Sequence, residues 1–395
     1  MTRRSFSKSR LCHVNSGKTV ALNPLVLGLL LLLSLIPLTY AADPTTQERY
    51  LILARRFSPI YYQGVGPTPR ADYICAFNFD GDWKGDNNWN HCTDTQYRMK
   101  AYVYYSVEET TTHFFIHYAA FHARDYKGGS LYGQLLNLGK EMYKKYKDQI
   151  GNIPGVEEAQ LSHENDMEGC LVIAEKEGED PRSARVVGVE TLAHDQFTPY
   201  FVNPRPNLFN RDDTRIRVED GTHPWIFVEP KGHGQKNYTG KEKQVATEST
   251  HITYRYTGRA EEPSGRGIEE VGYDLIPLYS TLWQHAQVTQ PDDTYGEVFD
   301  YGVVKAQAFD PVKHKAEDWQ HDIGKVGSSF RGETEGKDKA RPPWGWFDVF
   351  DKSIHQGDWF FNPAPLVKKH YQFDDKFSLA YVFNPYLGIT PSLWK

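Results

Sequence analysis

Beyond residue 41 the chain has no apolar run of the ~20 residues that a membrane-spanning helix requires. It also contains no Walker loop, dinucleotide fingerprint, zincin helix or nucleophile elbow, so the sequence offers no signal for nucleotide chemistry or serine hydrolysis. Positive charge is in deficit: 45 Lys and Arg against 51 Asp and Glu leave a formal charge of −6. Such a balance argues against generic binding to nucleic acid and suits cations, neutral partners or polysaccharide. Cysteine is scarce, with four in 395 residues, and no internal repeat is evident.

The longest apolar run is at the amino terminus. Arg3, Arg4, Lys8, Arg10 and Lys18 precede the stretch Leu25 to Leu38, and Thr39-Tyr40-Ala41 offers small residues where a signal peptidase reads. Residues 1–41 are therefore expected to be a signal peptide, with a retained amino-terminal anchor as the alternative, and the protein to be secreted or extracytoplasmic. Without them, 40 basic and 51 acidic residues give a formal charge of −11. Cys12 leaves with that segment, and Cys75, Cys92 and Cys170 remain. In an oxidising compartment Cys75 and Cys92, which bracket a Gly/Asp/Asn-rich loop, are expected to pair, with Cys170 a small buried hydrophobe. Two unpaired thiols are the other outcome. Asn237-Tyr-Thr is a glycosylation sequon.

Aromatic residues make up 14% of the chain, and 32 Gly and 23 Pro cut it into short runs. This composition predicts a mainly β fold, a β-sandwich with flanking helices and long loops, forming one domain over residues 42–395. Strands are expected at 101–107, 113–121, 169–175, 186–191, 224–229 and 250–256, the first two as a hairpin. Leu131, Leu135, Leu138, Met142, Tyr146 and Ile150 recur at helical spacing opposite a lysine face, predicting a helix packed on the sheet. Residues 203–223, 229–248 and 324–339 read as loops or lids. The aromatic tail from Trp344 to Trp394 reads as an ordered closure of the domain, with Pro342-Pro-Trp-Gly-Trp-Phe347 packing in the core or serving as a ligand platform.

Chemistry concentrates in Leu161-Ser-His-Glu-Asn-Asp-Met-Glu-Gly-Cys-Leu-Val-Ile173, where charge sits at the mouth of an apparently buried strand. If a strand begins at Asp166, its period of two puts Asp166, Glu168 and Cys170 on one face; His163 is out of phase with them, and a preceding loop or a bulge is needed to turn its imidazole toward the same carboxylates. The H-x-x-D-x-E spacing suits a divalent cation that neutralises the acids, with calcium or magnesium preferred to zinc or manganese. A His–carboxylate hydrogen-bond network, or a solvated strand entrance, accounts for the same spacing.

His163-Glu-Asn-Asp166-Met-Glu168 resembles the H-x-x-D-W-E core of the secreted necrosis- and ethylene-inducing-like proteins, and equally that of a vacuolar-sorting-related family. Phe121-His-Ala-Arg-Asp125, Ala193-His194, His223-Pro-Trp-Ile-Phe-Val and Gly232-His233-Gly234 follow the same order, so the likeness covers roughly residues 97–235. The resemblance implies a β-sandwich and a cation held by Asp125, His163, Asp166 and Glu168, with His122 competing with Asp125. Two departures, Met167 for the core tryptophan and Asn165 for a second histidine, put plant-membrane cytolysis in doubt.

His194 and His233 are candidates to complete the metal shell or to act as an acid/base pair, and His223 reads equally as a turn residue before proline. Asp80, Asp82 and Asp86 form a second acidic cluster in "FDGDWKGDNNW", but Lys84 occupies a ligand position of a calcium loop and no bidentate Glu follows. Turn hydrogen bonds explain those acids as well, while Trp83 and Trp89 offer faces for a sugar. Three functions remain: a surface-binding module whose cation links it to carbohydrate or a lipid headgroup in peripheral membrane contact, a metal-dependent hydrolase, or an interaction protein with a structural ion.

Overall fold

The computed structural model describes residues 44–126, 162–178, 180–202, 214–242, 250–265, 267–333 and 336–393. The predicted helix over 131–150 lies outside them. Contacts divide the chain at Pro44, and the unit Thr45–Lys395 carries the architecture given below.

Helix α1 (Pro44–Arg56) leads into β1 (Ile60–Val65), and a loop bearing the short α2 (Asn88–His91) follows. Next come β2 (Tyr102–Thr110), β3 (His113–Asp125), β4 (His163–Glu175), β5 (Arg185–Leu192) and β6 (Phe197–Phe201). They are succeeded by β7 (Val218–Glu219), β8 (His223–Val228), β9 (Gln235–Asn237), β10 (Thr250–Tyr256), β11 (Glu269–Pro277) and α3 (Leu282–His285). The last third holds β12 (Tyr295–Asp300), β13 (Val303–Asp310), β14 (Lys315–Asp322), β15 (Lys325–Phe330), α4 (Asp358–Phe361), α5 (Pro363–Tyr371) and β16 (Ala380–Phe383).

The fold is mainly β, and all six predicted strands are present. Among the described residues fourteen strands join as one sheet, in the order β6-β5-β4-β3-β2-β11-β10-β1-β8-β7, while β12 and β15 pair separately. The sheet branches at β2, whose first half pairs with β11 in parallel and whose end pairs with β16 antiparallel. It also curls, so that β1 lies across β3: Gln63 Oε1 is 3.2 Å from His122 Nε2.

Strand β3 is buried along its whole length, and β4 is buried except at its two ends. The alternation of β4 explains this double cover. Cys170 faces Tyr61 of β1, whereas on the other face Trp346 Nε1 donates to the Met167 carbonyl at 3.0 Å. Gly169 has no side chain because a Cβ there would sit 2.6 Å from the Trp346 ring. The Pro342–Phe347 segment is thus core, with Trp344 and Trp346 buried; each such ring contributes on the order of 2–3 kcal/mol of hydrophobic burial.

Four expectations are corrected. Residues 324–339 are not wholly a loop, because Lys325–Phe330 pairs as β15 with β12. Its Gly327 fits beneath Tyr295, a role that a purely compositional reading discounts. Strand β4 begins at His163 rather than Asp166, since β3 runs far enough to pair Asp125 with it. Cys75 and Cys92 are free thiols, both buried; burial pushes the Cys75 thiol up and the Cys92 thiol to about 11. Residues 229–248 are likewise not wholly a loop, because Gln235–Asn237 pairs as β9 with β8; Asn237 of the sequon is buried there, its Nδ2 donating to the Arg215 carbonyl at 2.9 Å.

Candidate functional site: an acid and histidine cluster at the end of β3 and β4

The antiparallel register sets Asp125 opposite His163, His122 opposite Asp166 and Ala120 opposite Glu168. Within this ladder Asn165 adopts φ 60°, a left-handed conformation that asparagine tolerates better than most residues. Its buried amide holds the distortion: Oδ1 accepts from Asn88 Nδ2 at 2.8 Å, and Nδ2 donates to the Gly85 and Arg331 carbonyls at 3.0 and 2.8 Å. The β3–β4 register is unbroken on both sides of it, so the departure from a regular strand before Asp166 is this one left-handed residue and not an inserted bulge.

His163 Nδ1 donates to the Asn165 carbonyl at 2.7 Å. Spending Nδ1 on a carbonyl leaves Nε2 as the nitrogen that offers a lone pair, the usual arrangement of a metal-ligating histidine. That Nε2 stands 3.4 Å from Asp125 Oδ2.

Asp166 and Glu168 project from the same face and are both buried. Asp166 Oδ2 accepts from His233 Nδ1 at 2.8 Å, and His233 Nε2 donates to Asp72 Oδ1 at 3.1 Å. Burial opposes charge on His233, yet the two carboxylates raise it to about 9, so it is an internal imidazolium. Burial likewise opposes charge on Asp166, but the His233 hydrogen bond and the nearby histidines hold its carboxyl well below the usual range. Glu168 behaves in the opposite way: burial first, and the Asp166 charge second, push its carboxyl well above the ordinary value. Its Oε1 and Oε2 accept the backbone N–H groups of His194 and Gln235, each at 3.2 Å.

The His122 ring stacks on His233 with centroids 3.7 Å apart and planes 2° from parallel. Burial and the adjacent imidazolium drive His122 well below its normal pKa, so it is neutral. Its Nε2 bonds to Gln63, and its Nδ1 has no partner among the described residues.

The histidines arrive on two hairpin turns. His194 and Asp195 join β5 to β6, and Lys231 and His233 join β8 to β9. All four have positive φ, and with Asn165 they make five of the nine non-glycine residues in that region among the described residues. Such conformations cost on the order of 1–3 kcal/mol each and gather where function demands a geometry. Gly234 lets two side-chain ends lie against the turn, since a Cβ there would meet Glu229 Oε2 at 2.9 Å and His194 Nε2 at 3.0 Å. His194, 53% exposed, bonds through Nε2 to Glu229 at 2.8 Å, while its Nδ1 lies 4.0 Å from Glu168 Oε1.

The structure therefore gathers His194 and His233 with Asp125, His163, Asp166 and Glu168. His223 is separate and structural, with Nδ1 donating to the Ser58 carbonyl at 2.8 Å. The second acidic cluster is occupied by its own loop: Asp80 Oδ1 accepts the Asp82 N–H, Asp82 Oδ1 the Lys84 N–H, and Asp86 pairs with Arg331. The spacing missed Asp72, Gln63, Glu229 and Gln235. Only Glu229 carried a signal, at the end of a predicted strand before Gly232-His-Gly234.

Among the described residues no three His, Cys, Asp or Glu side chains converge closely enough to hold one ion as they are turned. The donor types and the His163 tautomer fit a cation. To serve as a ligand through Oδ2, however, Asp166 must exchange its bond to His233, and Glu168 its bonds to backbone amides.

No family model matches the chain, and no curated protein is similar to it. Part of the chain resembles toxin-fold proteins. "Toxin fold for microbial attack and plant defense" shares 15% identity over 60% of this chain and 78% of its own, with a TM-score of 0.27. NLPPya in complex with glucosamine shares 16% over 60% and 77%, with a TM-score of 0.28. Necrosis and Ethylene inducing Protein 2, from the causal agent of cocoa's Witches Broom disease, shares 16% over 56% and 72%, at 0.23. Superposition at this level assigns no activity, and the functional argument rests on the residues themselves.

Proposed function

We propose that residues 42–395 form an exported, β-sandwich-based domain that binds a divalent cation through His163, Asp125, Asp166 and Glu168, and that uses it to engage a carbohydrate or lipid headgroup. One observation carries the reading: His163 offers Nε2 beside Asp125, and two buried carboxylates one strand period apart follow it on the same strand, past the left-handed Asn165. A bound calcium or magnesium ion would supply positive charge that offsets the mutual repulsion of Asp166 and Glu168 and would coordinate ligand oxygens. His233, clamped between Asp72 and Asp166, orients the Asp166 carboxylate.

A second reading, metal-dependent hydrolysis, is favoured by His194, the exposed imidazole of the cluster, whose bond to Glu229 is the arrangement of an oriented general base. The test measures metal content of protein purified from residue 42 onward by mass spectrometry, beside the His163→Ala/Asp166→Ala double variant, with thermal unfolding before and after chelation. Stoichiometric metal in the parent and none in the variant is the expected result. No metal in either, with a melting point indifferent to chelator, would reduce the cluster to a hydrogen-bond network around the His233 imidazolium. With metal present, ester or phosphoester turnover lost in His194→Ala would favour the hydrolase.

A further inference from the structure

A cavity of about 1010 Å³ opens at the other end of β3 and β4, where the β2–β3 turn meets the end of β4 and the turn after α5. His113 pairs with Glu175 there, twelve steps along β3 from the Asp125–His163 pair. At ~3.3 Å per residue the two ends are roughly 40 Å apart, so this is a separate site.

The charged side chains of its lining are held by one another. Arg49 and Lys176 both end on the Glu109 carboxylate, at 3.0 and 2.5 Å. Arg185 pairs with Glu175 at 3.0 Å and with Glu177 at 3.1 Å. Asp374 and Lys376, of opposite sign, share the exposed turn after α5. Burial lowers His113 to about 4, so its imidazole is neutral at pH 7. A charged ligand would lose hydration here without gaining a counter-charge, and the lining selects an uncharged one.

What the lining offers instead is an aromatic wall and a polar edge. Tyr371, Phe373 and Phe377 form a near-parallel ladder, with centroids 5.6 and 4.8 Å apart and planes within 16° and 8°. Phe373, at its centre, is half-buried, as are Val187 and Val202 of the same lining. The polar edge is the β2–β3 turn, where half-buried Thr111 adds a hydroxyl and His113 is 4% exposed. His113 Nδ1 meets the Thr112 hydroxyl at 2.8 Å, and its Nε2 has no hydrogen-bond partner among the described residues. A buried ring nitrogen without a partner is costly, and whether it gives or takes a hydrogen bond depends on the tautomer. A hydroxyl does both, so it satisfies either form.

Pockets that hold small molecules combine apolar walls with a few convergent polar groups, at volumes of about 300–1,000 Å³. We propose that this cavity binds an uncharged, ring-bearing alcohol or phenol, its ring against Phe373 and its hydroxyl toward Thr111 and His113. The site is independent of the cation cluster.

Cinnamyl alcohol and its anionic counterpart cinnamate, which share a ring and a three-carbon arm, serve as probes, titrated calorimetrically into the parent, Phe373→Ala and His113→Phe proteins. Near-ultraviolet circular dichroism establishes that each variant is folded, and Thr111→Val, at a half-buried position, tests the polar edge if His113→Phe does not fold. Saturable one-to-one binding of cinnamyl alcohol is expected, with affinity lower by about tenfold or more for cinnamate, by about tenfold in Phe373→Ala and by about fivefold in the polar-edge variant. Absence of saturable binding of the alcohol, equal or tighter binding of cinnamate, or an affinity that a folded variant leaves unchanged overturns the proposal.

Discussion

Two acidic clusters occur in this chain, and the structure treats them in opposite ways. Asp80, Asp82 and Asp86 lie in a loop whose carboxylates accept the amides of its own turns or pair with Arg331. Asp166 and Glu168 lie one strand period apart in a buried ladder, and their partners come from distant segments: Asp72 through His233, the β5–β6 turn and β9. The first cluster is local structure. The second is assembled by the fold and stores charge and strain, so spacing of acids alone does not separate a turn from a site; the origin of each carboxylate's partner does.

The comparison is broken most directly at Asp166. In chelator-treated protein, Asp166→Ala leaves the buried His233 imidazolium with one carboxylate, and a loss of about 3–5 kcal/mol in urea unfolding is expected. A loss below about 1 kcal/mol would place Asp166 with the loop acids.

The imidazoles sharpen the contrast. His233, between two carboxylates, is raised, whereas burial lowers His113 to about 4 from 6.5. An unfolded chain therefore binds more protons at position 113 than the folded one between those values, so stability is lost as pH falls from about 6.5 toward 4. The contribution is up to about 3 kcal/mol. Replacement by Phe should flatten the stability profile in that window by a comparable amount; an unchanged profile would refute the assignment.

Gly234→Ala tests the crowded junction of the turns. Its added methyl group must displace Glu229 or His194, with an expected cost of about 1–3 kcal/mol and a shifted His194 resonance in NMR spectra. The smallest effect is reserved for the loop: Asp82→Ala should cost about 1 kcal/mol by thermal unfolding and leave metal content unchanged. Loss of metal with Asp82→Ala would transfer the cation reading to the first cluster.

Much of the fold was legible. Aromatic and β-branched runs between Gly and Pro marked six strands, five of them within about four residues of their ends and β4 only over its second half, because a strand half or wholly covered by core needs such residues wherever it lies. Some of the strands missed carry weak apolar patterns. Strand β14, Lys315–Asp322, is largely exposed and charged, and β15 centres on Gly327, Ser328 and Ser329, with Gly327 fitting under Tyr295, so neither bears a strong apolar pattern. At the site, Asp166 and Glu168 were legible through the period of a strand, His163 only through its spacing from them because it is out of phase with that period, and Asp125 only from a family likeness. Asp72 and Gln63 were invisible, since an isolated polar residue carries no trace of what will pack against it.

The sequence by itself determined the alternation that places Asp166 and Glu168 on one face and Met167 and Gly169 on the other, because successive side chains on an extended backbone must point to opposite sides. Only the tertiary structure decided the charge those acids carry. Burial, the His233 imidazolium and the amides of two remote hairpins set it, and each acts through space over a few ångströms between residues that the chain separates by dozens of positions.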